Sequence, residues 1–467
     1  MTVNYNYFAR MRFLFVFSLF VFPYVLVAQA LQNPAQRAVQ QTVLVQQGEQ
    51  ITLADAIASA LEKNYAIRIA RAQERIANNN NTFGNAGFFP LVSAQLQRNY
   101  IKQNLRQEFF NALQPPQRIY GVNNNNLTVG PVVQWTIFNG LGMFVAYDRL
   151  NELVRLSEAN TRANVEATVA DIATSYYDVI RQLQRLVAFR QALEISGDRL
   201  ELARANYEVG TRSKVDFLSA QVDYNADSAA YLAQEQAVRN AKVVLNTLLV
   251  RDPNTEFAVR DTIIVRPDLV LENLRQSVLA NNPQLVTAAL NRRVAYHDIR
   301  LLQAQQLPQV DLLANYNFIA QNNEAGFGIR QARNDVLTYG IRIAVPIFNG
   351  FNQRRLIQNA KINSLTAEYQ EANQRLQLQS QLEQTFNQYQ NSLKLVNLEV
   401  LNYQIAIQNV DIAYERYRVG NSTAVEFRDV QRNAVAAQTR LIDAEFNAKA
   451  AEIELLRLSS TIVQNVR

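Results

Sequence analysis

The chain has 467 residues, with 46 Lys or Arg against 40 Asp or Glu, one histidine and no cysteine. Disulfides and a lipid-modified cysteine are therefore excluded within it, and a lone His297 supports neither a histidine-based metal site nor a serine triad. Only 14 Gly and 11 Pro favour long helices, and a formal charge of +6 without a Lys/Arg run does not point to nucleic acid.

Arg10 and Arg12 precede the apolar run FLFVFSLFVFPYVLV, which ends in Ala28-Gln29-Ala30. A charged start, an apolar centre and a small-residue site predict a secretory signal peptide over 1–30, followed by an extended segment over 31–50. A first repeat, 51–252, opens with a helix expected at about 53–86. Val92, Ala94, Leu96 and Tyr100 then alternate with Ser93, Gln95, Gln97 and Asn99 as a strand does. The tract NNNN at Asn123, with Pro115-Pro116, reads as a loop. Leu127, Val129, Pro131, Val133, Trp135 and Ile137 mark a second strand. A very long helix then runs from Gly140 to Gly210, with Ile172, Tyr176, Val179, Leu183, Leu186, Leu193, Leu200 and Tyr207 along one seam. Arg190, Gly197 and Arg204 interrupt that seam, so looser packing is expected there. After a turn comes a helix of half the length, about 214–249.

A linker, 253–268, leads to a second repeat, 269–462, and a short end, 463–467. Its first helix is expected at about 269–305. Val310, Leu312, Ala314, Tyr316 and Phe318 mark one strand, and Tyr339, Ile341, Ile343, Val345 and Ile347 another. The next helix has no interior Gly or Pro. Leu382, Phe386, Tyr389, Leu393, Val396, Val400, Tyr403, Ile407, Val410, Tyr414 and Tyr417 follow at heptad spacing, which predicts left-handed coiled-coil packing. A second seam, Leu398, Ile405, Ile412 and Val419, predicts a neighbour on the other side. A final helix covers about 425–458. The intervals Asn64–Pro90 and Asn282–Pro308 are equal, as are Gly140–Gly210 and Gly350–Gly420; only the stretch between proline and glycine differs. The chain is a duplication.

A 70-residue helix is roughly 100 Å long at ~1.5 Å per residue, so two half-length helices stacked end to end can line one long helix. The strand patterns suit either a half-buried soluble sheet or membrane-spanning strands. In lipid, four strands alone would leave backbone groups unpaired, so copies must join: eight strands from a dimer or twelve from a trimer, the latter leaving room for a pore. No phosphate-binding loop is present, and acidic pairs such as Asp198/Glu201 read as solvated helix faces. No enzyme activity, cofactor or metal is expected.

The duplicated plan, IFNG at both strand-to-helix junctions, and the turns YEVG followed by VDFL and YRVG followed by VEFR resemble the TolC-like outer membrane efflux family. The likeness covers about 51–462. It implies a mainly α fold with a transmembrane β-barrel: a homotrimer of 12 strands in the outer membrane, continued by a periplasmic α-helical coiled-coil barrel. It implies a passive exit duct of a tripartite efflux or type I secretion system, docked to a periplasmic adaptor and an inner-membrane transporter of RND, ABC or MFS type. Val209, Gly210, Thr211, Val419, Gly420 and Asn421 would be adaptor-docking tips. Tyr207, Arg212 and Asp216 match a family pattern at the periplasmic aperture. Glu426 and Asp429, on one helix face, would form a carboxylate ring under threefold symmetry, with solvated surface acids as the alternative. Asn139, Gly140, Asn349 and Gly350 form the strand-to-helix junctions. The rival reading is a secreted coiled-coil spacer without a pore.

Overall fold

The computed structural model describes residues 48–108, 115–259, 262–325 and 329–465. The expected signal peptide, most of the 31–50 segment and the extreme C-terminus lie outside them. Strand β1 (Glu49–Gln50) leads into α1 (Leu53–Lys63) and α2 (Tyr65–Asn80). The strands β2 (Leu91–Gln107) and β3 (Gln117–Asn139) follow, then the 67-residue α3 (Gly142–Glu208) and α4 (Lys214–Leu248). A short β4 (Phe257–Ala258) pairs in parallel with β1. The second half repeats the order: α5 (Leu271–Asn281), α6 (Pro283–Ala304), β5 (Gln309–Asn323) and β6 (Gln331–Ala344). The 67-residue α7 (Asn352–Arg418), α8 (Ala424–Leu458) and the single-turn α9 (Ile462–Asn465) complete it.

Each helix expected to open a repeat is two helices. Asn64 accepts from the Ala66 backbone N–H through Oδ1 and donates through Nδ2 to the Leu248 carbonyl at 2.9 Å. Asn282 does the same with Gln284 N–H and the Leu458 carbonyl. One side chain thus starts α2 (or α6) and satisfies a carbonyl at the end of α4 (or α8) that the helix itself leaves free. This bond is how two half-length helices meet end to end beside a long one.

The helices form a curtain one layer deep. In the half nearer the sheet, α3 packs on α2 and α6, and α7 packs on α6; in the far half, α3 packs on α4 and α8, and α7 on α8. The main apolar core lies midway, where Ile172, Tyr176 and Val179 of α3 meet α1, Leu245 of α4, Phe257 and Leu456 of α8. A second core joins Leu378, Leu382, Phe386 and Tyr389 of α7 to α5 and α8. Each such fully buried Leu or Phe contributes about 1.5–3 kcal/mol. The second seam, Leu398, Ile405, Ile412 and Val419, stays exposed in the single chain, as do Val215, Leu218 and Val222 of α4 at the opposite flank.

The first-repeat seam holds only to Leu186. Beyond it the buried face of α3 becomes Ala192, Ser196, Arg199 and Ala203, while Leu193 and Leu200 are half-buried and Tyr207 is exposed. Packing is not loose there, as the interruptions suggested; the helix turns a small and polar face inward. Arg190 and Arg204 sit outside, paired with Glu194 and Glu208 one turn on.

The four long strands make one antiparallel sheet in the order β2-β3-β5-β6, so the two repeats join at β3 and β5. One face carries the rows Val92–Val133–Ala314–Tyr339 and Leu96–Val129–Phe318–Asp335; the other carries Ser93–Val132–Asn315–Thr338 and Gln97–Thr128–Ile319–Asn334. Asn123–Asn126, read as a loop, lies inside β3, because ladder bonds to β2 and β5 use the backbone and tolerate Asn. β6 ends at Ala344, short of Val345 and Ile347: Ala344 already faces Gln309, the first residue of β5, and Pro346 has no N–H to extend the ladder. No helix among the described residues is long and apolar enough to cross a membrane.

Candidate functional site

The far end of the curtain consists of two helix reversals built alike. After α3, Gly210 takes φ +78° and Thr211 N–H donates to the Asn206 carbonyl at 2.9 Å; after α7, Gly420 takes φ +81° and Asn421 N–H donates to the Arg416 carbonyl at 2.8 Å. Both are glycine-centred helix stops in which a left-handed residue lets the chain fold back on the last carbonyls. Val209 and Val419 point into solvent just before them.

The next helix starts differently at each tip. Ser213 Oγ accepts from Asp216 N–H at 3.2 Å and donates to Asp216 Oδ2 at 3.0 Å. At the second tip, Thr423 Oγ1 accepts from Glu426 N–H, while Glu426 Oε2 accepts from Thr423 N–H and from Ser422 Oγ at 2.7 Å. These hydroxyl and amide donors hold the Glu426 carboxyl below its ordinary range. Glu426 and Asp216 are thus engaged as helix caps, and Asp429 is exposed on the same face of α8.

Above the tips the ring pairs Tyr207–Phe217 and Tyr417–Phe427 stack at 6.0 and 5.6 Å. Arg212 leaves the first tip and lies over the Tyr417 ring at 5.2 Å, so the two hairpins touch here. Of the residues expected at the aperture, the structure brings Arg212 to the second hairpin. Tyr207, Asp216, Glu426 and Asp429 stay with their own.

Deeper in, the hairpins are joined by charge that the sequence reading did not single out. Arg199, 1% exposed, pairs with Asp223. Arg428 of α8 donates from both guanidinium ends to Asp227, at 2.6 and 2.8 Å, and lies 3.5 Å from Asp223. Those bonds raise the Arg428 pKa further. Asp227 also accepts from Ser196, and Gln431 of α8 donates to the Ala192 carbonyl and Ser196 Oγ. The one trace in the sequence is the spacing of Ala192, Ser196, Arg199 and Ala203 on one helix face; nothing local names their partners.

At the near end, Asn139 Oδ1 accepts from Met143 N–H and Asn349 Oδ1 from Gln353 N–H, each starting a long helix. Gly140 and Gly350, with the following Leu141 and Phe351, are left-handed, which swings the chain out of the sheet. A Cβ on Gly140 would lie 2.3 Å from the Ala304 carbonyl oxygen, whereas Gly350 faces open space.

Among the described residues no cluster of His, Cys, Asp and Glu has the makings of a metal site. The sequence profile of the family "Outer membrane efflux protein" matches twice, at residues 56–250 and 274–460. The chain is similar to the outer membrane protein TolC of Vibrio cholerae, 21% identical over 328 residues, covering 68% of this chain and 73% of that protein. It is also similar to the outer membrane efflux protein BepC of Brucella suis, 20% identical over 420 residues, with 87% and 84% covered. In fold it resembles the outer-membrane channel OprN, with a TM-score of 0.72 at 18% identity and 88% and 90% of the chains covered. The CmeC outer membrane channel of Campylobacter jejuni gives 0.71 at 14% identity, with 88% and 86% covered.

Proposed function

The chain belongs to the outer membrane efflux protein family, and from that membership and its open edges we infer the assembled duct it forms. It is an outer-membrane channel component of a tripartite efflux or secretion system, with a large helical region in the periplasm, and it is not an enzyme. Its partners are an adaptor and an inner-membrane transporter. Three copies close one tube: a barrel of twelve strands above a barrel of helices. The two sheet edges, β2 and β6, carry unpaired backbone groups, which no hydrocarbon environment tolerates. The observation that carries this reading is that both layers are open on the same two sides. β2 and α2 stand at one flank and β6 and α7 at the other, so a single ring closure pairs strands and covers both exposed helix seams.

The repeats 51–252 and 269–462 act as paired staves of this tube. Val209, Gly210, Thr211, Val419, Gly420 and Asn421, outermost on the helical end, are the surface offered to the adaptor. Tyr207, Arg212, Asp216, Glu426 and Asp429 ring the aperture, with the Arg199–Asp223–Arg428–Asp227 cluster tying the hairpins behind it. A pore-free spacer of single chains would leave the β2 and β6 edges unpaired and the helix seams uncovered. Purified protein should run as a heat-sensitive trimer and give discrete conductance steps in a planar bilayer. Folded trimer in silent membranes overturns the duct.

A further inference from the structure

Beyond the apolar rows, the same sheet face changes chemistry in two steps. The next row is Arg98–Leu127–Ala320–Arg333, then comes Tyr100–Asn125–Asn322–Gln331, then Lys102 opposite Asn123. Tyr100, Lys102, Asn123, Asn322, Gln331 and the adjoining Arg330 line a recess of about 550 Å³ at the end of the sheet farthest from the helices. The Arg98 guanidinium lies 5.1 Å over the Tyr100 ring and its Nε donates to Asn125 Oδ1 at 3.2 Å, so it is held in place over the polar row. Glu324, the acid of the recess, has its Oε2 engaged by the Asn123 N–H and Nδ2, both at 2.8 Å. Among the described residues Arg330 and Arg333 have no ion-pair partner.

Along one face, hydrocarbon contact broken only by Asp335 gives way to a basic row at Arg98 and Arg333, then to amide donors and acceptors beside an aromatic ring, with Lys102 and Arg330 beyond them. A phosphorylated glycolipid presents complementary groups: acyl chains carried by a sugar core, with phosphates at the two ends of that core. Arginine suits phosphate because its fork donates in pairs, and Asn, Gln and Tyr suit hydroxyl-rich rings. We propose that this face binds a phosphorylated glycolipid of the outer leaflet, with its phosphates at Arg98, Lys102, Arg330 and Arg333 and its sugars on the Asn125–Asn322–Gln331 row. The inference rests on the sheet being part of the membrane-spanning barrel proposed above. With the helices in the periplasm, the basic rows then stand at the outer surface. Bound lipid would fix the height of the barrel in the membrane and brace its wall.

The test uses the full-length trimer, stripped of lipid in detergent and offered three probes: a bisphosphorylated diglucosamine glycolipid, the same molecule without phosphates, and phosphatidylglycerol. Native mass spectrometry reads the bound fraction. The bisphosphorylated probe should be held best, and Arg98→Gln, Lys102→Gln, Arg330→Gln and Arg333→Gln should each weaken it by about fivefold, the effect of one basic side chain at a charged lipid surface. Arg118→Gln, farther along β3, should leave it unchanged. Equal retention of the dephosphorylated probe, phosphatidylglycerol bound as tightly, or unaltered binding by the four variants overturns the proposal. Conductance of the same preparation separates the two readings. Normal steps without phosphate-dependent retention sink only the lipid site, whereas silent bilayers sink the barrel and this site with it.

Discussion

The two hairpins, α3–α4 and α7–α8, descend from one ancestral unit and keep the same backbone devices. Each long helix has 67 residues, stops on a left-handed glycine, and restarts from a hydroxyl cap. What they bury near the tips differs. The second hairpin packs Val410, Ala413 and Tyr417 against Phe427, a dry cluster. The first turns Ala192, Ser196 and Arg199 inward and meets Asp223, Asp227 and the Arg428 of its neighbour. Duplication conserved what backbone geometry demands and released what contacts choose. Arg199 and Asn409 occupy equivalent places, as do Arg428 and Leu218, so the charge cluster exists on one side only. Ion pairs are sensitive to geometry and solvent in a way that stacked aromatics are not. The first hairpin is therefore the one suited to yield when the tips separate.

The sharpest way to break this contrast is to remove its centre. Arg199→Ala opens a cavity beside Asp223, which keeps only Arg428 at 3.5 Å, and should destabilise the helical end by at most about 3–5 kcal/mol, the usual cost of breaking a buried pair from one side. Two of its guanidinium nitrogens, Nε and Nη1, lack partners, which favours the lower part of that range. Asn409→Ala, at the matching exposed place on α7, should stay within about 0.5 kcal/mol. Denaturant unfolding followed by hydrogen exchange of the 190–230 and 400–440 peptides measures both. Equal losses would mean that the two hairpins are held alike.

Much of this architecture was written in the sequence. The Gly and Pro punctuation and heptad seams mark the long helices to within a few residues, because a helix without breakers leaves a periodic trace. The alternations mark all four strands. What escaped were features set by distant partners. Asn64 looks like any helical polar residue until the Leu248 carbonyl arrives, and the Asn123 tract looks like a loop until two strands flank it. The Arg199 cluster escaped for the same reason: its acids stand a helix away and its second arginine belongs to the other repeat. The tip residues were legible as turns, yet their side chains mostly serve the turn itself.

The junctions sharpen the comparison at the opposite end. Gly140→Ala and Gly350→Ala share the penalty of a left-handed Cβ, about 1–2 kcal/mol. Only at Gly140 does the new atom collide with the Ala304 carbonyl, 2.3 Å away, and with Leu307. Overpacking of that kind adds on the order of 1–3 kcal/mol. Thermal unfolding of the two variants should rank Gly140→Ala well below Gly350→Ala; equal melting would show that α6 moves away freely.

The smallest effect concerns the caps. Ser213→Ala and Thr423→Ala should each cost about 1 kcal/mol, locally, as lost N-caps do. The second tip should in addition respond to acid. The Ser422 hydroxyl and the Thr423 N–H hold the Glu426 carboxyl below its ordinary 4.5, so the folded state binds this proton less readily than the unfolded chain. Stability from this contact is therefore present above the ordinary value and is lost as pH falls through the lowered one. Asp198 of α3, an exposed residue, works in the opposite sense. Partial desolvation, with Glu201 and Glu194 nearby, raises its pKa, so acidification relieves the first hairpin near that residue. Amide exchange over 419–430, corrected for intrinsic rate, should accelerate below pH 4.5 in the wild type and lose that acid dependence in Glu426→Gln. An unchanged acid limb in the variant would remove the capping box as the pH-sensitive element of the tip; Asp411, whose pKa is raised by burial and by Glu415, is relieved by acid and does not supply such a limb.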